Sequence, residues 1–187
     1  MARMIGISGS VRTGSYNSSL LREAARLSPE NLSIEIASIR EIPLYDGDVD
    51  AASGPPVPVR ELKDRIAAAD GIILATPEYN NSMPGVLKNA VDWLTRPPGD
   101  VGRVFKGKIA AIMGATPGKG GTRFSQAAWL PVFHTLGLVV FSSKKAYVAG
   151  AGGVFDEHGG LSDDATKKVL GSYLAELASF VEAHRRA

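Results

Sequence analysis

The segment Ser8-Gly9-Ser10-Val11-Arg12-Thr13-Gly14-Ser15-Tyr16-Asn17-Ser18 concentrates hydroxyl groups, two glycines and one arginine between an apolar run and an amphipathic one. If a helix starts there, its N-terminus offers unpaired N–H groups and a partial positive charge. Hydroxyls add short hydrogen bonds, and Arg12 adds a charge-assisted one. Such donors suit a terminal phosphate monoester, whose oxygens need several partners. An ordinary Ser/Gly turn is the alternative reading. A second segment, Thr76-Pro77-Glu78-Tyr79-Asn80-Asn81-Ser82-Met83-Pro84-Gly85, is stiffened by its prolines and carries the flat ring of Tyr79. Its exposed backbone could bond the edge of a heterocycle, or it could simply be a turn closing a strand. A third, Gly114-Ala115-Thr116-Pro117-Gly118-Lys119, is another glycine-rich turn after a buried run.

Rival phosphate chemistries fail on spacing. Gly6 and Gly9 do not make a dinucleotide fingerprint, and no acidic residue closes the second strand. The third segment is one residue short of a P-loop, with Gly120 where Ser or Thr would hold magnesium. A receiver domain would need acidic residues where Ser8-Gly9 and Thr76-Pro77 stand. The chain has no cysteine, which excludes zinc thiolates, iron–sulfur clusters and thiol catalysis. Redox chemistry here requires a bound organic cofactor. His134, His158 and His184 lack metal-ligand spacing. Asp46, Asp48 and Asp50 lack the later Gly and Glu of a calcium loop. No metal site is expected.

The elements that must position these loops follow from periodicity. Strands are expected at 4–8, 32–36, 71–75, 108–114 and 138–141, the last resuming through 146–148. Helices are expected at 18–27, capped by Asn17 or Ser18, at 59–69, at 84–95 and at 122–136. Pro131 should kink or end the fourth of these early. A final helix, capped by Ser162, runs to about His184. Residues 43–58 read as irregular because of Pro55, Pro56 and Pro58. Strands alternating with helices mean a parallel sheet covered on both faces. Five strands fit a flavodoxin-like three-layer α/β sandwich of order 2-1-3-4-5, in which ligands sit at the carboxyl ends of the strands.

Composition agrees with one domain spanning 1–187. The 187 residues are 44% hydrophobic and 21% charged, enough for a core and ordinary in charge. The net charge of +2 is scattered, which argues against nucleic acid as a partner. The basic cluster His184-Arg185-Arg186 reads as a solvated tail. Neither a signal peptide nor a membrane span is expected, so the location is expected to be cytoplasmic. Trp93 reads as a buried or interface residue.

Together the loops resemble the NADPH-dependent FMN reductase family, which includes flavodoxin-like quinone and chromate reductases. The carriers are 9–17, Pro77-Glu78-Tyr79-Asn80, and Gly114 to Gly118 with Gly120-Gly121. Leu87-Lys88-Asn89-Ala90-Val91-Asp92-Trp93 and Phe155-Asp156-Glu157 match as well. The resemblance implies that Ser10, Arg12, Ser15, Asn17 and Ser18 hold the FMN phosphate. It places Pro77, Glu78, Tyr79 and Asn80 along the isoalloxazine ring, and Thr116 and Gly118 at its pyrimidine edge. In this loop the backbone of Glu78 is expected to matter more than its carboxylate. The chain departs from the family pattern at Arg123-Phe124-Ser125-Gln126, where one extra residue separates Arg from Gln. The implied activity passes hydride from NADPH or NADH through FMN to a small acceptor such as a quinone, flavin, azo compound or chromate. No side chain need be catalytic, because the cofactor carries the chemistry. Self-association to a dimer or tetramer is implied too, with Trp93 and Leu94 as candidate contacts. A flavodoxin-type electron carrier and a non-catalytic flavin-sensing domain remain the alternatives.

Overall fold

The computed structural model describes residues 1–185. Strand β1 (Ala2–Ser8) leads through the hydroxyl-rich loop into α1 (Tyr16–Leu27). β2 (Leu32–Ala37), α2 (Gly47–Ser53) and α3 (Val57–Ala67) follow, then β3 (Gly71–Ala75) and α4 (Gly85–Leu94). The second half contains α5 (Val101–Val104), β4 (Ile109–Ala115), α6 (Arg123–Thr135), β5 (Val139–Val140), β6 (Ala146–Val148) and α7 (Asp164–Arg185). All pairs are parallel, in the order β2-β1-β3-β4-β5, with β6 also on β4. The central strands are apolar on both faces because both are covered. Met4, Ile73, Ala111 and Met113 point into a layer under α1 and α7. Ile5, Ile7, Ile72, Leu74, Ala110 and Ile112 point into the opposite layer under α3, α4 and α6. Each large apolar side chain buried there contributes about 1.5–3 kcal/mol.

The sheet has six strands rather than five. β5 pairs with Ile109 and Ala110, and β6 pairs with Met113 to Ala115. Between them the chain leaves the sheet. Phe141 packs under α7, its ring 5.2 Å from Tyr173 and 5.4 Å from Phe180. The strand at 138–141 does resume at 146–148, but as a separate element.

Other differences are local. Segment 43–58 is not wholly irregular. Asp46 caps α2 by accepting from the Asp48 N–H, and Pro58 sits in the first turn of α3, where no N–H is needed. α1 starts before Asn17, and its cap is Ser15, whose Oγ accepts from the Ser18 N–H. α7 starts after Ser162, with the Asp163 carboxylate accepting from the Thr166 N–H. α6 continues through Pro131 to Thr135. Trp93 and Leu94 are wholly internal, and the Trp93 indole donates to the Pro43 carbonyl at 2.9 Å, so neither is available to a second copy. Arg185 is exposed, as is His184, but it also bonds the Met1 carbonyl and Asp70 at the amino end of the sheet, while Arg186 lies outside the described residues. Among the described residues no His/Cys/Asp/Glu group could hold a metal, and no helix is long and apolar enough to cross a membrane.

Candidate functional site

The loops after β1, β3 and β4 meet at the carboxyl ends of their strands, beside the point where the strand order reverses. Gly9 shows how closely the first two approach. A Cβ there would lie 2.8 Å from Pro77 and 2.9 Å from Leu87. Gly114 does the same between the second and third. A Cβ there would lie 2.1 Å from Thr122 Oγ1 and 2.3 Å from the Thr76 carbonyl. Both glycines therefore answer to tertiary contacts.

Buried polar bonds fix the loops to one another. The Asn17 amide donates to the Ala115 carbonyl at 2.8 Å, and the Ala115 N–H donates to Asn17 Oδ1 at 2.9 Å. This pair ties the start of α1 to the end of β4. Under the second loop the Thr76 and Ser125 hydroxyls bond at 2.8 Å, and the Trp129 indole donates to Thr76 Oγ1. No buried side-chain N or O atom lacks a partner among the described residues.

Between the loops lies a cavity of about 540 Å3, within the range of small-molecule sites. Ser10, Arg12, Ser15, Tyr16 and Asn17 line one end, Pro77, Glu78 and Tyr79 the other, and Ala115, Thr116 and Pro117 the side. At the first end Ser15 occupies the Ser18 N–H. Helix geometry leaves the Tyr16 and Asn17 N–H groups without intrahelical acceptors. Arg12 donates to the Gly14 carbonyl and lies over the Tyr16 ring, and it has no carboxylate partner among the described residues. The Tyr16 ring in turn stacks on Phe155 at 5.8 Å.

At the other end Tyr79 and Ser82 exchange both backbone bonds, and Asn80 and Asn81 take positive φ between them. That is the type I′ geometry asparagine tolerates. It leaves the Tyr79 ring 48% exposed at the rim. The expected free backbone of Tyr79 is thus used within the turn.

The structure places the other sequence-derived candidates as follows. Ser18 faces a neighbouring cavity, its hydroxyl bonded to Ser8 Oγ at 2.8 Å. The Asn17 amide is occupied by Ala115, so only its backbone N–H is left for a ligand. Asn80 sits in the turn beyond the cavity wall. The Thr116 N–H donates to Val148, so a backbone donor from this loop must come from beyond Pro117. The Gly118 carbonyl accepts from Gly150. Arg123 folds back onto the Gly120 carbonyl. Gln126 is buried and donates to Thr122 and Ala146, which removes it from any ligand.

The Glu78 carboxylate has a structural partner that the sequence did not suggest. Its Oε2 accepts from the Phe124 N–H at 2.8 Å and the Ser125 N–H at 3.1 Å. Thr122, at the head of α6, has φ 62° and makes no side-chain cap bond. The Glu78 carboxylate therefore caps α6 from another loop, where the helix dipole favours negative charge. Nothing within either segment signals this, because donor and acceptor are brought together only by the sheet.

The donor set fits a flavin mononucleotide. Two free N–H groups, two hydroxyls and a guanidinium without a carboxylate partner lie at one end, with proline and tyrosine at the other. Comparison with known proteins agrees. Residues 2–153 match the NADPH-dependent FMN reductase family. The chain is 43% identical over 183 residues to an NAD(P)H-dependent FMN reductase of Pseudomonas aeruginosa, covering 98% of this chain and 97% of that one. It is 37% identical over 177 residues to a 2-hydroxy-1,4-benzoquinone reductase of a Burkholderia species, covering 95% and 94%. Its fold superposes on the flavoenzyme NAD(P)H:(acceptor) oxidoreductase FerB of Paracoccus denitrificans with a TM-score of 0.87. That match has 33% identity and covers 98% of this chain and 99% of that one. The family match over residues 2–153, relatives matched over nearly their whole length and the shared sheet make this chain a member of the NADPH-dependent FMN reductase family.

Proposed function

We propose that this chain, acting as one domain, is an FMN-dependent NAD(P)H oxidoreductase whose acceptor is a quinone or a similarly small oxidant. The observation that carries this reading is the cavity with candidate phosphate donors at one end and a flat, proline-backed face at the other. Ser10, Arg12, Ser15 and the Tyr16 and Asn17 N–H groups would hold the phosphate. Ser18 would support that loop through Ser8. Pro77, Glu78, Tyr79 and Asn80 would set the ring's position, and the loop of Thr116 and Gly118 its pyrimidine edge. Bound FMN would supply two-electron transfer between a nicotinamide and the acceptor. The protein's part is to bind, align and leave one face of the ring open beside Tyr79.

Donor and acceptor share that open face, because the sequence carries no dinucleotide fingerprint. Steady-state kinetics with NAD(P)H and a quinone should therefore give parallel double-reciprocal lines, with excess acceptor competing against NAD(P)H. Intersecting lines without competition would mean that both substrates bind together, and the shared face would have to be abandoned.

Self-association to a dimer or tetramer belongs to the same proposal. Exposed Tyr79, Phe124 and Tyr147 lie on segments packed around the cavity mouth, and a second copy would cover them. Light scattering that finds only the 19.7 kDa chain mass would refute this. The proposal also places the chain in the cytoplasm, which cell fractionation tests.

A further inference from the structure

A second cavity, of about 400 Å3, lies on the far side of the phosphate loop. Its walls are that loop, the early turns of α1 and the end of β2 with the residues that follow it. It shares Ser10 and Arg12 with the flavin cavity, and it alone has Arg22 from α1 and Arg40 from beyond β2. The hydroxyls of Thr13, Ser18 and Ser38 lie among these groups, and Leu21, Ile36 and Ile39 supply an apolar wall.

The three guanidinium groups share one cavity without a carboxylate; Arg60 and Arg123, which also meet only backbone carbonyls, do not line it. Arg12 donates to the Gly14 carbonyl, Arg22 to Ser19 Oγ and Arg40 to the Val11 carbonyl. Every one of these acceptors is neutral. No carboxylate lines the cavity, and none of the three makes an ion pair among the described residues. By contrast Arg3, Arg26, Arg65, Arg96, Arg103 and Arg185 each pair with a carboxylate. Like charges gathered without a counter-charge repel one another over roughly 8 Å at physiological salt, and an anion among them removes that cost. Guanidinium forks match phosphate oxygens in pairs, and hydroxyls complete the shell. The apolar wall suits a nucleoside body. In Rossmann dinucleotide folds, which this chain's motifs do not match, a nearby arginine accommodates the ribose 2′-phosphate of NADP.

We propose that the cavity between the phosphate loop and the end of β2 binds the phosphomonoester group of a nucleotide, gripped by Arg22 and Arg40, with Arg12 standing between it and the flavin cavity. Two sources share this chemistry: the adenosine 2′-phosphate of NADPH, and a separate nucleotide. The first source rests on the reductase reading above, whereas the site itself does not.

Calorimetric titration of the FMN-loaded chain with 2′,5′-ADP, AMP and inorganic phosphate tests the site. At least one of them should bind saturably. The R22Q/R40Q variant should weaken that binding by about tenfold or more while keeping its FMN, since neither residue lines the flavin cavity. R22Q alone, which loses only the Ser19 contact, should show a smaller loss and controls for loosening of the loop through Arg40. Kinetics then separate the sources. If NADPH supplies the phosphate, R22Q/R40Q raises KM for NADPH about tenfold and leaves KM for NADH unchanged. If a separate nucleotide supplies it, both KM values stay unchanged while binding of the free phosphomonoester falls. No saturable binding to the wild-type chain, or equal binding by wild type and both variants, overturns the proposal. A chain that takes up no FMN overturns the reductase reading instead, and the same titrations on that chain still decide the arginine site.

Discussion

The two ends of the sheet are held together by different chemistry. At the amino ends and along the outer edge of β2, charge meets charge. Arg3 and Arg65 both reach Glu35, and Asp70 takes the Arg3 N–H and Arg185. Lys108 there donates to the Ala67 and Ala69 carbonyls, and burial pulls its pKa below the usual lysine range. At the carboxyl ends the cross-links are mostly neutral and internal: Asn17 with Ala115, Thr76 with Ser125 and Trp129. Glu78 is the carboxylate among these cross-links, and it sits on a helix N-terminus. The end whose loops are tied mostly by neutral groups is also the end where Arg12, Arg22 and Arg40 keep no acidic partner. A carboxylate cross-link there would compete with an anionic ligand for the same guanidinium groups.

The contrast is broken most sharply at Asn17. Asn17→Ala leaves the Ala115 N–H and C=O buried without partners, at about 1–3 kcal/mol each. A total loss of about 2–6 kcal/mol is expected in urea unfolding, together with loss of FMN. A variant of wild-type stability would show that this cross-link does not hold the cavity shut. Next is Arg12→Ala, expected to weaken FMN binding by about 1.5–3 kcal/mol, the scale of a charged hydrogen bond. Riboflavin, which lacks the phosphate, should bind almost as before. Equal losses for the two ligands would mean that Arg12 does not meet the phosphate.

Glu78→Ala removes the cap of α6, worth about 0.5–2 kcal/mol. Because it loosens the ring loop and not the phosphate loop, it should weaken FMN and riboflavin alike. Amide exchange should rise at Phe124 and Ser125, and unchanged exchange there would remove the capping role. The smallest effect belongs to the other end. Glu35 is partly exposed, so Glu35→Gln should cost less than about 1 kcal/mol and leave FMN binding untouched. The guanidinium groups of Arg3 and Arg65 hold the Glu35 carboxyl below its usual range. Its contribution is therefore fully present above the unfolded-state pKa of about 4.3 and is lost as pH falls through the lower folded value. Urea midpoints of wild type and Glu35→Gln should converge on acidification, and a constant gap would show that the pairs contribute nothing.

What the sequence alone determined is what neighbours along the chain decide. Apolar period marked the central strands and their helices, and the Ser/Gly/Arg composition of 8–18 marked a candidate loop for a phosphate. The absence of cysteine confined redox chemistry to a bound cofactor. What only the tertiary structure decided involves partners far apart in the chain. Asn17 meets Ala115 across 98 residues, and Glu78 meets Phe124 across 46. Pattern could assign Asn17 to the phosphate loop, yet not reveal that its amide is already occupied by a strand end. It could place Glu78 beside a ring, yet not reveal that a helix with no cap of its own would need that carboxylate. Arg22 and Arg40 look like ordinary surface residues of a helix and a loop. They become a site only when the pairing of β1 with β2 brings both beside Arg12. Local propensity acts over a few residues, whereas a binding site is set by groups the sheet brings together and by the charges it leaves unpaired.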